Sequence, residues 1–449
     1  MRSMTPIAEL NDVAAGEGRP VAPRTLAETG LNKDLLLQLA LKNLHFAGEL
    51  TGTELANRMG LAFSVIEPAV DDLLVQRHCE IVGGTMIGRA SYRYRITDAG
   101  RARATLFLES NLYVGVAPVP LEQYREYMTG VRRRRPQKVT REQIRNAFSH
   151  LVISDRVLDQ IGPAVNSGHS MFVYGPPGNG KTVISQAVRK LLAGHLYIPH
   201  ALEVQGNIIR FFDPVNHEPL PDSADDAASS SLDIGDQTDK RWVRCRRPMV
   251  MVGGELTLDA LALSYNEVAG FYGAPVQALA NGGVLVIDDF GRQQCAPRDL
   301  LNRWIVPLES GVDFLTLASG QKFEIPFMTL VVFATNIKPA DLVDEAFLRR
   351  IHYKIFAESP TRLEFMKIFE RCSGERDIEF DGEAVTHMLD NYYKPRGLQP
   401  RGCHPRDLID QLISLADYMD APRLMTSELL ELACAAYFVD EREPSSNVA

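Results

Sequence analysis

The segment VLVIDDFGR, residues 284–292, carries two adjacent carboxylates directly after a run of apolar residues. The apolar run predicts a short buried strand, and the acids Asp288 and Asp289 would stand at its end. Taking one carboxylate out of water costs several kcal/mol unless a cation or hydrogen-bond donors meet it. The pair therefore predicts a positive partner close by.

A glycine-rich segment upstream supplies a candidate for that partner. In MFVYGPPGNGKT, residues 171–182, a short apolar strand leads into the pattern G-x-x-x-x-G-K-T and then into a helical sequence. Glycines allow backbone N–H groups to converge on phosphate oxygens at the start of a helix. Lys181 would neutralise the outer phosphates, while the Thr182 hydroxyl and Asp288 would hold the Mg²⁺ of a bound nucleotide. The predicted nucleotide-binding residues are Gly175, Pro176, Pro177, Gly178, Asn179, Gly180, Lys181, Thr182 and Val183.

These two segments resemble those of the AAA+ ATPases. GPPGNGKT differs at one residue from the GPPGTGKT common in that family, and VLVIDDF resembles its Walker B strand. TLVVFATN, residues 329–336, resembles the strand that follows. The resemblance puts Asn336 at the sensor 1 position, where the family's polar residue orients the attacking water. It implies a P-loop core with a parallel β-sheet that binds and hydrolyses Mg-ATP.

Two arginine-bearing segments extend the resemblance. DEAFLRRI, residues 344–351, resembles the helix end that bears the family's arginine finger, which we assign to Arg350 with Arg349 as second candidate. GCHPRDL, residues 402–408, resembles the sensor 2 segment of the helical lid and implies that Arg406 contacts the nucleotide. A finger that acts on a neighbouring subunit implies a ring or helical homo-oligomer, for which a hexamer is the expected size.

Two further features narrow the branch of the family. ALANGGVLVIDDF resembles the approach to Walker B in MoxR-type ATPases and bacterial enhancer-binding activators. Residues 312–326 alternate in polarity around Ser319 and Gly320, which predicts a hairpin, and resemble the hairpin before sensor 1 that defines one AAA+ superclade. The activators' GAFTGA loop is absent from the sequence, so the resemblance does not imply activation of a sigma factor.

Asp289 departs from the family, where most members have Glu. The shorter side chain would set its carboxylate about 1.5 Å further back, and a displacement of about 1 Å can cost roughly a hundredfold in rate. Asp is still a competent general base within hydrogen-bond reach, so we expect hydrolysis, at a reduced rate. The alternative is that Asp289 only caps the following turn.

The order of elements predicts an α/β chain of several parts. Residues 1–29 resemble a disordered tail, 30–110 a winged helix, 111–145 a basic linker, 146–357 the nucleotide-binding core, 358–440 a helical lid and 441–449 a second tail. The longer helix of the winged-helix part is predicted to begin with a capping box formed by Ser64 and Glu67.

The core contains one large insertion, residues 203–252. Within it, EVQGNIIRFFD and RWVRCRRPMVMV predict strands, and residues 219–240 between them are polar and predicted to be disordered. Further on, GFYGAP, residues 270–275, lies roughly where the family's pore loop grips substrate. Phe271 and Tyr272 are the candidates for that role, and packing of the loop onto the core is the alternative.

The winged-helix prediction includes a two-stranded wing, residues 79–97, and the charge around this wing bears on a possible nucleic-acid partner. Residues 77–138 contain twelve Lys and Arg against five Asp and Glu, in a chain whose net charge is -9. A backbone-directed contact with DNA is one interpretation. The helix that would enter the major groove carries Glu67, Asp71 and Asp72, which a phosphate-lined groove repels. The other interpretation is a solvated wing, with the winged helix docking a protein partner.

Composition is that of a globular protein, 45% hydrophobic and 23% charged over 449 residues. Six cysteines lie far apart with none in a CxxC, which favours reduced thiols over a zinc site or disulfide framework. There is no secretory signal and no apolar run long enough to span a bilayer, so we expect a cytoplasmic protein.

The predicted function is an AAA+ ATPase in which Asp289 and Asn336 act within one subunit while Arg350 reaches in from its neighbour. ATP turnover would drive the remodelling of a macromolecular partner. A DNA-binding regulator or motor is one alternative, supported by the basic wing. An ATP-dependent switch or adaptor with little hydrolysis is the other, supported by Asp289.

Overall fold

The computed structural model describes residues 18–83, 88–134, 138–192, 194–221, 238–342 and 345–438. The chain divides into two compact units. The first contains the described residues of segments 1–137, 192–286 and 293–331, and the second those of segments 138–191, 287–292 and 332–449.

The helices, in chain order, are α1 (Leu26–Thr29), α2 (Lys33–Ala47), α3 (Gly52–Met59), α4 (Phe63–Val75), α5 (Asp98–Ser110), α6 (Leu121–Arg133), α7 (Arg141–Ala147), α8 (Asp155–Ser167), α9 (Lys181–Val188), α10 (Val276–Leu279), α11 (Pro297–Ser310), α12 (Pro339–Leu342), α13 (Glu345–Leu348), α14 (Arg362–Gly374), α15 (Gly382–Met388), α16 (Lys394–Arg396), α17 (His404–Tyr418) and α18 (Ser427–Tyr437). The strands are β1 (Glu49–Thr51), β2 (Cys79–Gly83), β3 (Arg93–Ile96), β4 (Val119–Pro120), β5 (Met171–Tyr174), β6 (His195–Pro199), β7 (Ala201–Val204), β8 (Asn207–Arg210), β9 (Trp242–Arg246), β10 (Met249–Val252), β11 (Ser264–Asn266), β12 (Phe271–Gly273), β13 (Val284–Ile287), β14 (Val312–Thr316), β15 (Lys322–Pro326), β16 (Leu330–Thr335) and β17 (Tyr353–Phe356).

A five-stranded sheet with the order β10-β13-β16-β5-β17 forms the α/β core. Strands β16 and β17 both run parallel to β5, and Thr335 and Phe356 lie opposite Tyr174. Every residue of β13 and β16 is buried, as expected for strands covered on both faces. The predicted parallel α/β core is therefore present, and Asp288 and Asn336 follow directly after two of its strands.

The N-terminal part of the first unit consists of α2 to α5 and a three-stranded antiparallel sheet of order β1-β3-β2. Leu36, Leu44 and Val70 are fully buried in its core. The predicted capping box at Ser64 is wrong. Helix α4 begins one residue earlier at Phe63, without a side-chain cap. The capping box is formed instead by Thr51 and Glu54 at the start of α3.

The segment predicted to be a linker, 111–145, is different in the structure. It contains β4 and helix α6, which packs into the core of the first unit through Leu121, Tyr124 and Met128. The Tyr124 hydroxyl accepts a hydrogen bond of 2.7 Å from the buried amide of Asn281. The spacing of three to four residues between the buried side chains is that of an amphipathic helix, which the run of arginines at its end obscured.

Parts of two segments predicted to be disordered also have defined contacts. Residues 18–29 include helix α1 and an antiparallel bridge between Val21 and Thr238. Pro219 makes a second bridge, to Cys245. The remainder of those predictions, residues 1–17 and 222–237, lies outside the described ranges, as do the whole second tail, 441–449, and residues 84–87.

A buried ion pair lies beside the second of these segments. Arg241 Nη2 is 2.8 Å from Asp239 Oδ2, and both side chains are 2% exposed. The guanidinium also donates to the Thr29 carbonyl at 3.2 Å and to the Gln123 side chain at 3.0 Å. Arg241 thus joins residues that are distant in sequence within the first unit.

Arg241→Met is expected to lower the free energy of unfolding by about 3–5 kcal/mol, because it leaves the Asp239 carboxylate buried without its cation. The matched control is Arg246→Met, since Arg246 pairs with Glu218 at 3.2 Å but is 60% exposed, and such pairs contribute about 0–1 kcal/mol. Urea unfolding followed by tryptophan fluorescence measures both, because Trp242 and Trp304 lie in the first unit. Equal losses in the two variants would contradict the prediction.

The candidate pore-loop residues occupy a strand. Phe271 and Tyr272 belong to β12, which pairs with β8 and β11 in a sheet of order β11-β12-β8-β7-β4. Tyr272 is buried and its hydroxyl accepts a hydrogen bond of 2.9 Å from the Ala318 N–H. Phe271 packs edge-on against Tyr113. The packing alternative is the one observed here.

The predicted hairpin at 312–326 is confirmed. Strands β14 and β15 pair antiparallel, with Val312 opposite Pro326 and Thr316 opposite Lys322. Asp313 is fully buried in this hairpin, where Arg303 and Gln277 donate hydrogen bonds of 2.6 and 3.0 Å to its carboxylate.

The C-terminal helical region, residues 361–438, lies in the second unit and comprises α14 to α18 with a π-helical segment at Leu389–Tyr393. Its core contains Phe365, Phe369, Leu412 and Leu430. Within the described ranges, each helix of the chain is too short or too polar to span a membrane.

Candidate nucleotide-binding site

The loop between β5 and α9 has the backbone that its glycines permit. Gly175, Gly178 and Gly180 have φ values of 147°, 81° and 72°, a region that favours glycine. A Cβ on Gly178 would lie 2.4 Å from Cys403 Sγ, and one on Gly175 would lie 2.5 Å from the Ala357 carbonyl oxygen. Gly180 is the N-cap of α9, so the loop ends at a helix N-terminus, where an anion is favoured.

Lys181 is buried and folded back onto the loop. Its ammonium donates hydrogen bonds to the carbonyls of Gly175 at 3.1 Å and Pro176 at 2.8 Å. Burial lowers the pKa of Lys181, and the carboxylates of Asp289 and Asp288 partly oppose that shift. A phosphate would offer the ammonium a stronger partner than either carbonyl.

The two acids lie beside this loop, as the sequence predicted. The Thr182 hydroxyl donates to Asp288 Oδ2 at 2.8 Å, and the Asn336 amide donates to Asp289 Oδ1 at 3.0 Å. Asp289 has a φ of 48°, which Asp and Asn adopt more readily than most residues. The Asp289 N–H donates to Asp288 Oδ1 at 3.0 Å, so residues 182, 288, 289 and 336 form one hydrogen-bonded group.

A cavity of about 810 Å³ opens onto this group, and all of its lining residues belong to the second unit. Its lining includes Pro177 to Ile184 of the loop and α9, Asp288, Asp289, Arg292 and Asn336. The remaining lining residues are Gln186, His150 to Ile153 before α8, and Ile368, Arg371, Cys372, Glu375, Gly402, Cys403 and Arg406 of the helical region.

Several of these residues were missed by sequence reasoning. Arg371 lies on α14, donates to the Ser149 carbonyl at 3.0 Å and pairs with Glu375 at 3.4 Å. Burial raises the pKa of the thiols of Cys372 and Cys403. The spacing of Ile368, Arg371 and Glu375, at three and four residues, predicts that they share one face of a helix but not that this face lines the cavity.

The helical region contacts the loop directly. The Cys403 N–H donates to the Gly178 carbonyl at 2.8 Å, and the Gly402 N–H donates to Asn179 Oδ1 at 3.3 Å. The Asn179 amide donates in turn to the hydroxyl of Ser359 at 3.2 Å. Asn179 thus links the loop to two later segments of the second unit.

The predicted arginines fall into two groups. Arg406 lines the cavity, and its guanidinium is 2.9 Å from Asp407 Oδ1. That carboxylate raises the pKa of Arg406, chiefly through the hydrogen bond. Arg350 and Arg349 follow α13 and are not among the described residues that line the cavity.

The arrangement fits a magnesium-bound nucleoside phosphate. Mg²⁺ prefers hard oxygen ligands and is usually held by one or two protein groups together with phosphate oxygens. The Thr182 hydroxyl and the Asp288 carboxylate, 2.8 Å apart, are such oxygens, and Lys181 beside them suits a phosphate.

Comparisons with known proteins add two findings. Residues 361–436 match a family model described as Domain of unknown function (DUF8689), and they contain α14 to α17 and most of α18. No sequence match to a curated protein is significant.

Similar solved structures include two of RuvB from Thermotoga maritima. One is a mutant of that protein, with 15% sequence identity and a TM-score of 0.37, and the similarity covers 68% of this chain and 74% of that one. The structure of the RuvB Holliday junction branch migration motor has 16% identity and a TM-score of 0.34, over 64% and 70% of the two chains. NtrX from Brucella abortus in complex with ATP has 13% identity and a TM-score of 0.39, over 78% and 68%.

Proposed function

We propose that the protein is a Mg-ATP-dependent ATPase of the AAA+ type. The observation that carries this proposal is the hydrogen-bonded group beside the glycine-rich loop, in which Thr182 meets Asp288 and Asn336 meets Asp289. The loop supplies a cradle for phosphates. The hydrogen-bonded side chains beside it supply oxygen ligands for a divalent ion, a candidate general base and an amide, all at one cavity.

The residues of this group have separate tasks in hydrolysis. Lys181 and the loop N–H groups bind the phosphates, while Thr182 and Asp288 would hold Mg²⁺, which would supply positive charge to the phosphate oxygens. Asp289 accepts a proton from the attacking water as the water oxygen bonds to the γ-phosphorus and the bond from phosphorus to the bridging oxygen of ADP breaks. Asn336 orients Asp289 and the water. The products are ADP, phosphate and the proton that Asp289 then releases.

Two arginines complete the proposed site. Arg406 would contact the phosphates from the helical region, which acts as a lid. Arg350, with Arg349 as the second candidate, would reach the cavity of a neighbouring subunit, where it stabilises charge in the transition state. This part of the proposal requires a homo-oligomer, for which we expect a hexameric ring or helix, acting in the cytoplasm.

We further propose that residues 30–110 are a winged helix that docks a protein partner and that ATP turnover remodels this partner. Contacts of the wing favour a protein over DNA. Arg89 pairs with Glu67 at 3.0 Å and also with Asp71, while Arg93 and Arg95 pair with Glu49 at 3.1 and 2.9 Å. These basic side chains already have acidic partners, which reduces the positive field offered to a phosphate backbone.

Phosphate release from ATP, measured with and without Mg²⁺ and with and without duplex DNA, tests the proposal. Turnover that requires Mg²⁺ and is indifferent to DNA supports a protein-remodelling ATPase. Stimulation by DNA would support a DNA-dependent regulator or motor instead. Tight ATP binding without turnover would support a switch, and absence of ATP binding would overturn the proposal.

A further inference from the structure

The turn that carries Asp289 is attached to the end of strand β16. Just after Asp289, the Phe290 N–H donates to the Ala334 carbonyl at 2.7 Å. The Phe290 carbonyl in turn accepts a hydrogen bond of 2.7 Å from the hydroxyl of Thr335. Both polar groups of Phe290 are therefore held by the two residues that precede Asn336.

The Thr335 hydroxyl also acts as an acceptor. The N–H of Ile337 donates to Thr335 Oγ1 at 3.1 Å. One fully buried hydroxyl thus holds the backbone immediately after Asp289 and the backbone immediately after Asn336. These two hydrogen bonds hold the backbone next to Asp289 and next to Asn336, whose side chains are hydrogen-bonded to each other at 3.0 Å.

The shorter acid makes this attachment more important. The Asp289 side chain has little reach of its own, so the position of its carboxylate is determined by the backbone. That backbone is left-handed, with a φ of 48°, a sparsely populated region in which surrounding contacts help to hold even an Asp. On the Phe290 side of Asp289, Ala334 and Thr335 supply hydrogen bonds that hold the turn, and the Arg292 N–H donates to the Asp289 carbonyl at 3.0 Å.

We propose that Thr335 is a positioning residue for hydrolysis, acting through the Phe290 carbonyl and the Ile337 N–H to hold Asp289 against Asn336. The inference rests on the proposed ATPase function and adds to it the reason why Asp can serve where the longer acid is usual. Thr335 is not among the described residues that line the cavity, so it would act through the backbone rather than by contact with the nucleotide.

The test replaces Thr335 by Val, which has nearly the same shape but lacks the hydroxyl. If the turn then shifts by about 1 Å, turnover falls by roughly a hundredfold. We expect kcat to fall at least tenfold, while the dissociation constant for ATP changes less than threefold, because Lys181 and Thr182 are untouched. A fluorescent ATP analogue gives the dissociation constant and phosphate release gives kcat.

The matched control is Thr329→Val, at the other end of the same chain segment. Thr329 is also buried, and its hydroxyl donates to the Gln277 carbonyl at 3.3 Å, so the same chemical change is made away from the acids. We expect this variant to keep the wild-type kcat. An equal fall in kcat in both variants would show that loss of any buried hydroxyl in this segment suffices, and would overturn the inference.

Thr335→Ser and Thr335→Ala keep the test decisive if the valine variant does not fold. Both variants lack the side-chain methyl group of Thr335, and only the Ser variant retains the hydroxyl. The ratio of their kcat values therefore isolates the effect of the hydrogen bonds. We expect the Ser variant to turn over at least tenfold faster than the Ala variant, and equal rates would overturn the inference. If the wild-type protein does not hydrolyse ATP, the proposed function itself is wrong. That outcome differs from failure of the inference about Thr335, in which the wild type is active and the Ser and Ala variants have equal rates.

Discussion

Replacing Asp289 with Asn is expected to abolish most ATP turnover while leaving ATP binding intact. The change removes the proton acceptor but keeps the size of the side chain and an oxygen that can still accept from Asn336, which now lies 3.0 Å away. General-base catalysis typically contributes about a hundredfold to ten-thousandfold, so kcat should fall by that amount. Phosphate release under saturating ATP measures the loss, and binding of a fluorescent ATP analogue verifies that the site is still formed.

Asp390→Asn is the control for this variant. Asp390 lies in the same unit and pairs with Arg362 at 2.7 Å on an exposed surface, and it is not among the cavity residues. Its replacement should leave kcat unchanged. If Asp289→Asn also hydrolyses ATP at the wild-type rate, the carboxylate serves only to cap its turn, and the protein does not use it as a base.

A bound but uncleaved nucleotide would also make Asp289→Asn a useful trap. Because the proposed remodelling is driven by ATP turnover, a variant that binds ATP without cleaving it should hold its partner longer than the wild type. Comparison of the proteins retained by Asp289→Asn and Asp390→Asn in the presence of ATP would identify the partner.

The nucleotide loop could be predicted because its chemistry is local in sequence. The backbone conformation, the proposed anion binding and the Lys181 ammonium all belong to one run of nine residues, 175–183. Glycine is required in this run because the turn needs positive φ values, which other residues rarely adopt. The acids at the end of β13 and the amide after β16 could be predicted for a related reason. Parallel strands present their carboxyl ends at the same edge of a sheet, so residues that follow two such strands are brought together.

The cavity residues of α14 had no such signal. Arg371, Cys372 and Glu375 belong to an ordinary amphipathic helix, and only tertiary packing brings that helix to the loop. Their residue types also give no hint of a site, since a helix with Arg and Glu four residues apart is typical of a solvated face. The face of a helix can be predicted from its spacing, but the neighbour of that face cannot.

Errors in the first unit have a different origin. Helix α6 was missed because a run of arginines and a following proline outweighed the buried positions Leu121, Tyr124 and Met128. The polar segment before Arg241 was expected to be disordered, yet Asp239 is buried there because a specific ion pair holds it. In both cases the charged residues predicted a segment exposed to solvent. The structure differs because tertiary contacts bury part of each segment.

Lys181→Ala is expected to remove nucleotide binding itself. The ammonium is buried and donates to two loop carbonyls at 3.1 and 2.8 Å, so it lies within the loop proposed to receive the phosphates. Charge-assisted hydrogen bonds contribute about 1.5–3 kcal/mol each, so loss of those to the phosphates should weaken Mg-ADP binding by roughly a hundredfold or more. Titration calorimetry with Mg-ADP measures the affinity.

Thermal unfolding supplies an independent measurement of the same loss. A ligand at a hundred times its dissociation constant stabilises the folded state by about 2.7 kcal/mol. At that concentration the wild-type protein should show a clear rise in Tm with Mg-ADP. For the Lys181→Ala protein with a roughly hundredfold weaker affinity, that concentration only half fills the site and stabilises the fold by about 0.4 kcal/mol, so the rise in Tm should be about a sixth as large or smaller.

Lys354→Ala is a close control, because Lys354 also donates to two backbone carbonyls, those of Leu348 and Ile351, each at 2.7 Å. Burial lowers its pKa too, yet Lys354 is not among the described residues that line the cavity. Its removal should therefore leave Mg-ADP affinity unchanged. Equal losses of affinity in both variants would mean that removing any lysine bonded to backbone carbonyls in this unit weakens nucleotide binding, and that Lys181 has no specific role. Unchanged affinity in Lys181→Ala would mean that the phosphates bind elsewhere, and the proposed function would then lack its site.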